Sequence, residues 1–452
     1  MRNDRGLGRF VPSKDDAAVI GLVALLFVEQ LIFGANRGDI SLLFAVVHLV
    51  LLVAVLTTRS GRRALEGAPL AWVAAPFAAV LLAAAFSLVP IGGKIGHPLW
   101  TYVSASGGAI SLDPTATRLE MVKLLGLAAV FALAIVVGAK RERADTFLKA
   151  LSYLGGAYAA WAFLSWASSP NLIFGVVRPY GDGRLSGSFL SANSAGTLFA
   201  CQCILQLCLA FRAVRGGAKP LWSWRAWSRM KGLGPALVLL FVNASCLLLT
   251  ASRGGALAAA AAAALVVAGF ALARSDERSA SGGVIAVGGL ITFAVFALLM
   301  FSGGRLLGRL VDNPIADDRL MVFGAYWRTV LASPWWGYGM GAFRAFNFQS
   351  MTAASAVALG GLGAVHNVYL QWLLQSGVIG SAPMAICMGA IAATIMIGFR
   401  RRSRQHSVMI FALAVMAVFA VHGMTDFALE EPSLAAYFAA VLGLGYGVAA
   451  RA

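Results

Sequence analysis

GLGAVHNVYLQWLLQSGVIGSAPMAICMGAIAATIMIGFRRRSR, residues 361–404, decides the fold class. From residue 378 to 399 the run is apolar and long enough to cross a hydrocarbon layer, which takes roughly 20 helical residues. It ends in Arg400, Arg401, Arg402 and Arg404, while the polar pair His366-Asn367 stands at its other mouth. Runs of the same kind lie near 17–35, 39–57, 70–90, 118–138, 147–168, 192–214, 233–250, 253–273, 283–302, 407–426 and 432–450. The chain therefore reads as an all-α polytopic membrane protein of about 12 transmembrane helices, with residues 1–452 as a single integral domain. The first run is long and further spans follow it, so it reads as a span and not as a cleavable signal.

Composition agrees. Sixty per cent of the 452 residues are hydrophobic, mean hydropathy is +0.80, and only 12% are charged. An ordinary soluble protein needs more surface charge and less apolar sequence. The net charge of +17 raises nucleic acid as a partner, but its distribution points elsewhere. The clusters Arg59/Arg62/Arg63, Lys140/Arg141/Arg143, Arg225/Arg229/Lys231 and Arg400–Arg404 all fall on one side of the predicted spans. That is the positive-inside pattern. It places both termini in the cytoplasm and residues 361–367 on the outer face. Residues 220–231, PLWSWRAWSRMK, interleave Trp with Arg and suit a helix in the inner-leaflet interface. The five cysteines, 201, 203, 208, 246 and 387, all lie inside predicted spans, so no structural disulfide is expected.

Three outer segments stand out, 91–117, 169–191 and, longest, 303–365 between the ninth and tenth spans. A loop of this length without low-complexity sequence is expected to fold and to carry function. Polar residues that could do chemistry gather on the same side. Arg178 and Arg184 lie in GVVRPYGDGRLSGSF, Arg253 in the tight turn TASRGGAL, and Arg319 after Asp317-Asp318. Guanidinium groups hold phosphate oxygens in a bidentate fork, so this is chemistry for a lipid diphosphate. Arg178, Arg305 and Arg309 also read simply as solvated loop charges. Arg319 has a salt bridge with its neighbouring aspartates as its alternative. His366 can serve as a general base or as a helix cap. His422 and Asp426, four apart, read as a structural pair on one helical face, with Asp426 as an orienting group the other option. Glu29, His48 and Glu120 within spans keep a transport path in view, although Glu120 and Lys123 at i,i+3 read as a pair. No motif proposes a cofactor or a bound metal.

The pattern His366-Asn367, nine residues, Gly377, two residues, Gly380 resembles that of the bacterial O-antigen ligase and O-antigen polymerase superfamily. RLSGSFLSANSAG (184–196), ASRGG (251–255), DDR…ASPWWGYGMGAF (317–343) and HGMTDFALEEP (422–432) follow the family in order. The likeness covers roughly 180–435. It implies a glycosyltransferase-C-type fold in the bacterial inner membrane, with a periplasmic active site beneath the long loop. It also implies transfer of a glycan from undecaprenyl diphosphate to an acceptor hydroxyl, inverting and metal-independent. His366 would be the base, and Arg253, Arg319 and Arg184 would hold the donor beside Asn367 and Tyr369, with His422 and Asp426 in support. The acceptor would be lipid A–core for a ligase, or a second lipid-linked glycan for a polymerase, and both stay open. Outside that reading stand a permease, and a cell-wall polymerase that uses Asp317 or Asp318 instead of His366.

Overall fold

The computed structural model describes residues 14–91, 108–178, 183–215, 232–273, 317–351, 356–401 and 405–451. The helices are α1 (Lys14–Leu31), α2 (Gly38–Leu56), α3 (Arg59–Glu66), α4 (Ala71–Phe86), α5 (Pro114–Gly138), α6 (Arg141–Ser168), α7 (Ala192–Arg215), α8 (Leu233–Leu249) and α9 (Arg253–Leu272). Then come α10 (Asp317–Ala332), α11 (Phe343–Ser350), α12 (Ala356–Leu359), α13 (Val368–Arg401), α14 (His406–His422) and α15 (Pro432–Ala449). A small antiparallel hairpin, β1 (Leu172–Ile173) with β2 (Val176–Val177), follows α6.

Each expected span outside 283–302 falls on one of these helices; that ninth span and the interfacial segment 220–231 lie outside the described residues. Among the described residues, six helices are long and apolar enough to cross a membrane, seven if the pair α3–α4, bent by 92°, forms one span. Leu43, Val50, Val53, Leu82, Phe241, Leu257, Leu272 and Ile386 are large, apolar and exposed on these helices, as a lipid-facing surface requires. Helix α2, with 19 residues, is about 28 Å long, close to the thickness of the hydrocarbon core.

Helix α15 is the axis of the bundle, with 89% of its apolar window buried. It lies tightly against α5 because glycines line the contact. A Cβ on Gly447 would lie 2.8 Å from Ile135 Cα, and one on Gly138 would lie 2.6 Å from the Leu444 carbonyl oxygen. Small residues are how membrane helices approach when lipid and side chains are equally apolar. All five cysteines are buried free thiols in helices.

A second, separate core lies under the long loop. Ile110 and Leu112 pack with Tyr326, Val330, Tyr338, Phe343, Phe346, Val365, Leu370 and Leu374. The outer segments 91–117 and 303–365 thus meet. Leu112 N–H donates to the Tyr338 carbonyl at 3.0 Å and Thr117 Oγ1 to the Met340 carbonyl at 2.8 Å. The loop is anchored to α13 at a break in that helix. Gly377 has φ 56° and ψ −165°, a conformation open only to glycine. The backbone groups freed there pair with 334–339: Tyr338 N–H with Leu374 O (2.8 Å), Gly339 N–H with Gln375 O (2.9 Å), Val378 N–H with Pro334 O (2.8 Å) and Ile379 N–H with Trp335 O (3.1 Å). Non-helical backbone beside a membrane needs such internal partners.

Candidate functional site

Helices α7, α9, α13 and α15 all begin at one end of the bundle, and α14 ends there. His366 precedes α13 with φ 57°, a left-handed conformation uncommon outside glycine. It does not cap the helix. That role falls to Asn367, whose Oδ1 accepts from Leu370 N–H at 3.0 Å while its Nδ2 donates to the Met424 carbonyl at 3.0 Å. Both ends of the Asn367 side chain therefore hold the turn that presents His366. Tyr369 donates to the Ala420 carbonyl at 2.8 Å and is half exposed, tying α13 to α14.

The His366 ring stands edge-on to Phe427, with centroids 4.7 Å apart. Its Nδ1 lies 3.7 Å from Asp426 Oδ1, and the imidazole is 31% exposed while Asp426 is fully buried. One ring nitrogen thus faces a buried carboxylate, and the ring remains open to a substrate. This corrects the reading of His422 and Asp426 as a pair on one helical face. Helix α14 stops at His422, so Asp426 sits in the following turn. There it accepts weakly from Asn193 Nδ2 at 3.5 Å, from the start of α7.

His422 is itself buried and faces a different set. Its Nδ1 shares a 2.7 Å hydrogen bond with Thr197 Oγ1 of α7, and its Nε2 lies 3.4 Å from Ser252 Oγ. Ser252 caps α9 by accepting from Gly255 N–H at 3.1 Å, and Arg253 is the first residue of that helix. A Cβ on Gly254 would lie 2.6 Å from the His422 ring and from Thr425 Oγ1. The turn that carries Arg253 is therefore seated directly against α14. His422 locks three helix ends together.

Arg184 follows the hairpin, and the segment beside it is pinned by Leu185 N–H to the Leu249 carbonyl at 3.1 Å, one turn before Arg253. Its own carbonyl accepts from Arg178 Nη1 at 2.7 Å, and Arg178 also reaches the Pro170 carbonyl at 3.3 Å. Arg178 is only 4% exposed. It is a buried clasp of the 169–184 loop and not the solvated charge its sequence context suggests. Arg319 lies on α10; its side chain, those of Asp317 and Asp318, and the residues Arg305 and Arg309 lie outside what is described.

Two carboxylates beside this site carried no signal of their own in the sequence. Glu431, at the N-terminus of α15, is 1% exposed and accepts from Asn36 Nδ2 at 3.0 Å. Burial first, and then the charge of Asp426, push it up to about 8, against the lowering effect of hydrogen bonds from Asn36 and Ser194. Glu430 is pushed up to about 7 by burial and by Glu120, which Lys123 and Gln375 partly offset. Only the pair of acids before Pro432 hinted at them. Deeper in the bundle, Glu29 and His48 approach to 2.9 Å and Glu120 pairs with Lys123, so these ionisable groups are partnered within the helices. Among the described residues, no group of three or more His, Cys, Asp or Glu is arranged to hold a metal ion.

Residues 236–385 match the family model described as O-Antigen ligase. This part of the chain, about a third of it, is similar to an O-antigen ligase domain. No curated protein matches the chain. The domain spans Arg253, Arg319 and His366, together with the loop core and the Gly377 break. Arg184, His422 and Asp426 lie beyond it on either side, brought in by α7 and α14. Together with the apolar helices, this match supports a multi-pass membrane protein with a glycosyltransferase-like role in polysaccharide biosynthesis.

Proposed function

We propose that the protein transfers a glycan from undecaprenyl diphosphate to an acceptor hydroxyl at the periplasmic end of the bundle, without a metal and with inversion. The acceptor oxygen bonds to the anomeric carbon as that carbon's bond to the diphosphate oxygen breaks. The diphosphate departs with the electron pair, and the hydroxyl proton passes to His366 Nε2, the nitrogen left over when Nδ1 faces Asp426. Asp426 orients the ring and stabilises the imidazolium that forms. The observation that carries this reading is the approach of His366 to Asp426, buried and 60 positions on in the chain, at the end where α9 presents Arg253.

The electrostatics of that end suit a diphosphate. A cation on a helix N-terminus is opposed by the helix dipole by about 0.3–1 kcal/mol, and Arg253 occupies that place. An anion bound between the two turns the opposition into joint attraction. Arg319 and Arg184 are the other donor-holding groups in this proposal, and Asn367 and Tyr369 border the acceptor side.

The test uses purified protein in liposomes with undecaprenyl-diphosphate-linked repeat units and His366→Ala in parallel. A ladder of longer lipid-linked glycans identifies a polymerase. Transfer only after lipid A–core is added identifies a ligase. No product with either acceptor, or undiminished product from His366→Ala, overturns the proposal.

A further inference from the structure

At the opposite end of the bundle, helices α3, α5, α6 and α15 enclose a cleft of about 290 Å³ lined by Ser60, Arg63, Lys140, Arg143 and Arg451. Helix α15 runs 18 residues from Pro432 to Ala449, which sets this cleft about 27 Å from the His366 end. That is one hydrocarbon thickness away, at the other membrane surface. Among the described residues, four of those lining it are cations and none is acidic; Glu66 and Glu142 belong to two of the wall helices but do not line it. The walls are built and not merely apposed. Arg451 Nη2 donates to the Ala64 carbonyl at 3.1 Å and Tyr446 to the Pro69 carbonyl at 2.7 Å, fixing α15 to the α3–α4 bend. Arg62, the neighbour of Arg63, is used up elsewhere, donating to the Leu56 carbonyl at 2.9 Å at the end of α2. Thr58 caps α3 by accepting from Gly61 N–H at 3.0 Å.

We infer that this cleft binds the phosphate of an anionic phospholipid headgroup, apart from the transfer site. Positive charge on this side of a membrane protein sets topology without needing a cavity. Here the same residues converge on a volume that admits a glycerophosphate group and is too small for a nucleic-acid strand. The charge is supplied chiefly by arginine, whose fork matches phosphate oxygens. The bend of 92° between α3 and α4 lays α3 along the interface, where a headgroup can enter sideways from the leaflet. Basic pockets between helices on the inner side are suited to such lipids.

The full-length protein in a nonionic detergent is titrated with phosphatidylglycerol, with phosphatidylethanolamine of the same acyl chains, and with glycerol 3-phosphate, and bound lipid is read by native mass spectrometry. Phosphatidylglycerol should bind selectively, and Arg63→Gln and Arg143→Gln should each weaken it about tenfold. Arg400→Gln, which alters charge on the same side but outside the cleft, should leave it unchanged. Where a cleft arginine variant fails to fold, Lys140→Gln tests the same expectation at an exposed residue. Equal binding of the ethanolamine lipid, or equal loss in Arg400→Gln, would mean unspecific charge and overturn the inference. Binding of glycerol 3-phosphate as tight as the lipid's would overturn the lipid as its source.

Discussion

Replacing Gly377 with alanine should unseat the long loop from the membrane bundle. The backbone there sits at φ 56°, ψ −165°, and a Cβ would fall onto the Trp335 carbonyl. Holding a non-glycine residue in that region costs about 1–3 kcal/mol. Relieving the overlap means moving 334–339 away from α13, which gives up the four backbone hydrogen bonds between them. At roughly 0.5–1.5 kcal/mol each, those add about 2–6 kcal/mol. The total, about 3–9 kcal/mol, is comparable to the whole stability of many folded domains. The assay compares Tm and monodispersity of purified Gly377→Ala with Gly389→Ala. Gly389 lies in the same helix with open space at its Cβ position, so alanine there should be neutral or slightly stabilising. Gly377→Ala should lose most of its folded yield or melt far below the control. Equal Tm values for the two variants would refute the docked-loop account of this glycine.

His366→Ala should abolish glycan transfer while purified yield and Tm stay close to those of the unaltered protein, measured on the same preparation. Arg253→Lys should lower transfer at least tenfold despite keeping its charge, because a point cation cannot reproduce a bidentate fork; full activity would remove Arg253 from the donor site. Glu431 binds its proton up to about pH 8, against 4.5 for an ordinary glutamate, so between those values the folded chain holds a proton that the unfolded chain has released. Stability then falls with rising pH by up to about 1.4 kcal/mol per unit, and Glu431→Gln should melt increasingly above the unaltered protein from pH 5 to 8, with no gap at pH 4. Transfer should survive excess chelator, and a loss restored by added divalent ion would overturn metal independence.

The helices were legible because a long apolar run has few other meanings, yet among the described residues only six, or seven with the bent pair, are long and apolar enough to cross a membrane, and α13 begins ten residues before its apolar run. The site was legible only in part. His366 stood out beside its glycines, yet Gly377 of that pattern turns out to build the break in α13, and Gly380 packs against the Ser376 side chain. The partner of His366 was legible only as an alternative, Asp426 as an orienting group, because helical periodicity paired it with His422. That periodicity ends where α14 ends, four residues too soon. Arg178 was misread for a similar reason. Its partners are the carbonyls of Pro170 and Arg184, and the hairpin that brings these together leaves little trace in a stretch of glycines. Glu431 had no reading of its own in the sequence. Burial came from Asn36 and the α1–α2 turn, some 400 positions away.

Backbone strain marks the same place independently. Six described non-glycine residues have positive φ: Phe33, Ala35, Phe174, Ala251, His366 and Gln405. Four of them border the site. His366 carries the imidazole itself, and Ala251 immediately precedes Ser252 and Arg253. Phe33 and Ala35 flank Gly34, where a Cβ would lie 3.1 Å from Glu431 Oε2, just before Asn36. Each such residue costs of order 1–3 kcal/mol that glycine would avoid. Strain of this kind persists where surrounding structure over-determines it, and it collects at functional sites more than in mere connections. At position 366 glycine would suit the backbone better than histidine. Histidine's Phe427 contact offsets only part of that cost, since an edge-on aromatic pair contributes about 0.5–1.5 kcal/mol. What remains is best accounted for by the side chain's use, with one nitrogen turned to Asp426 and the ring still open to substrate.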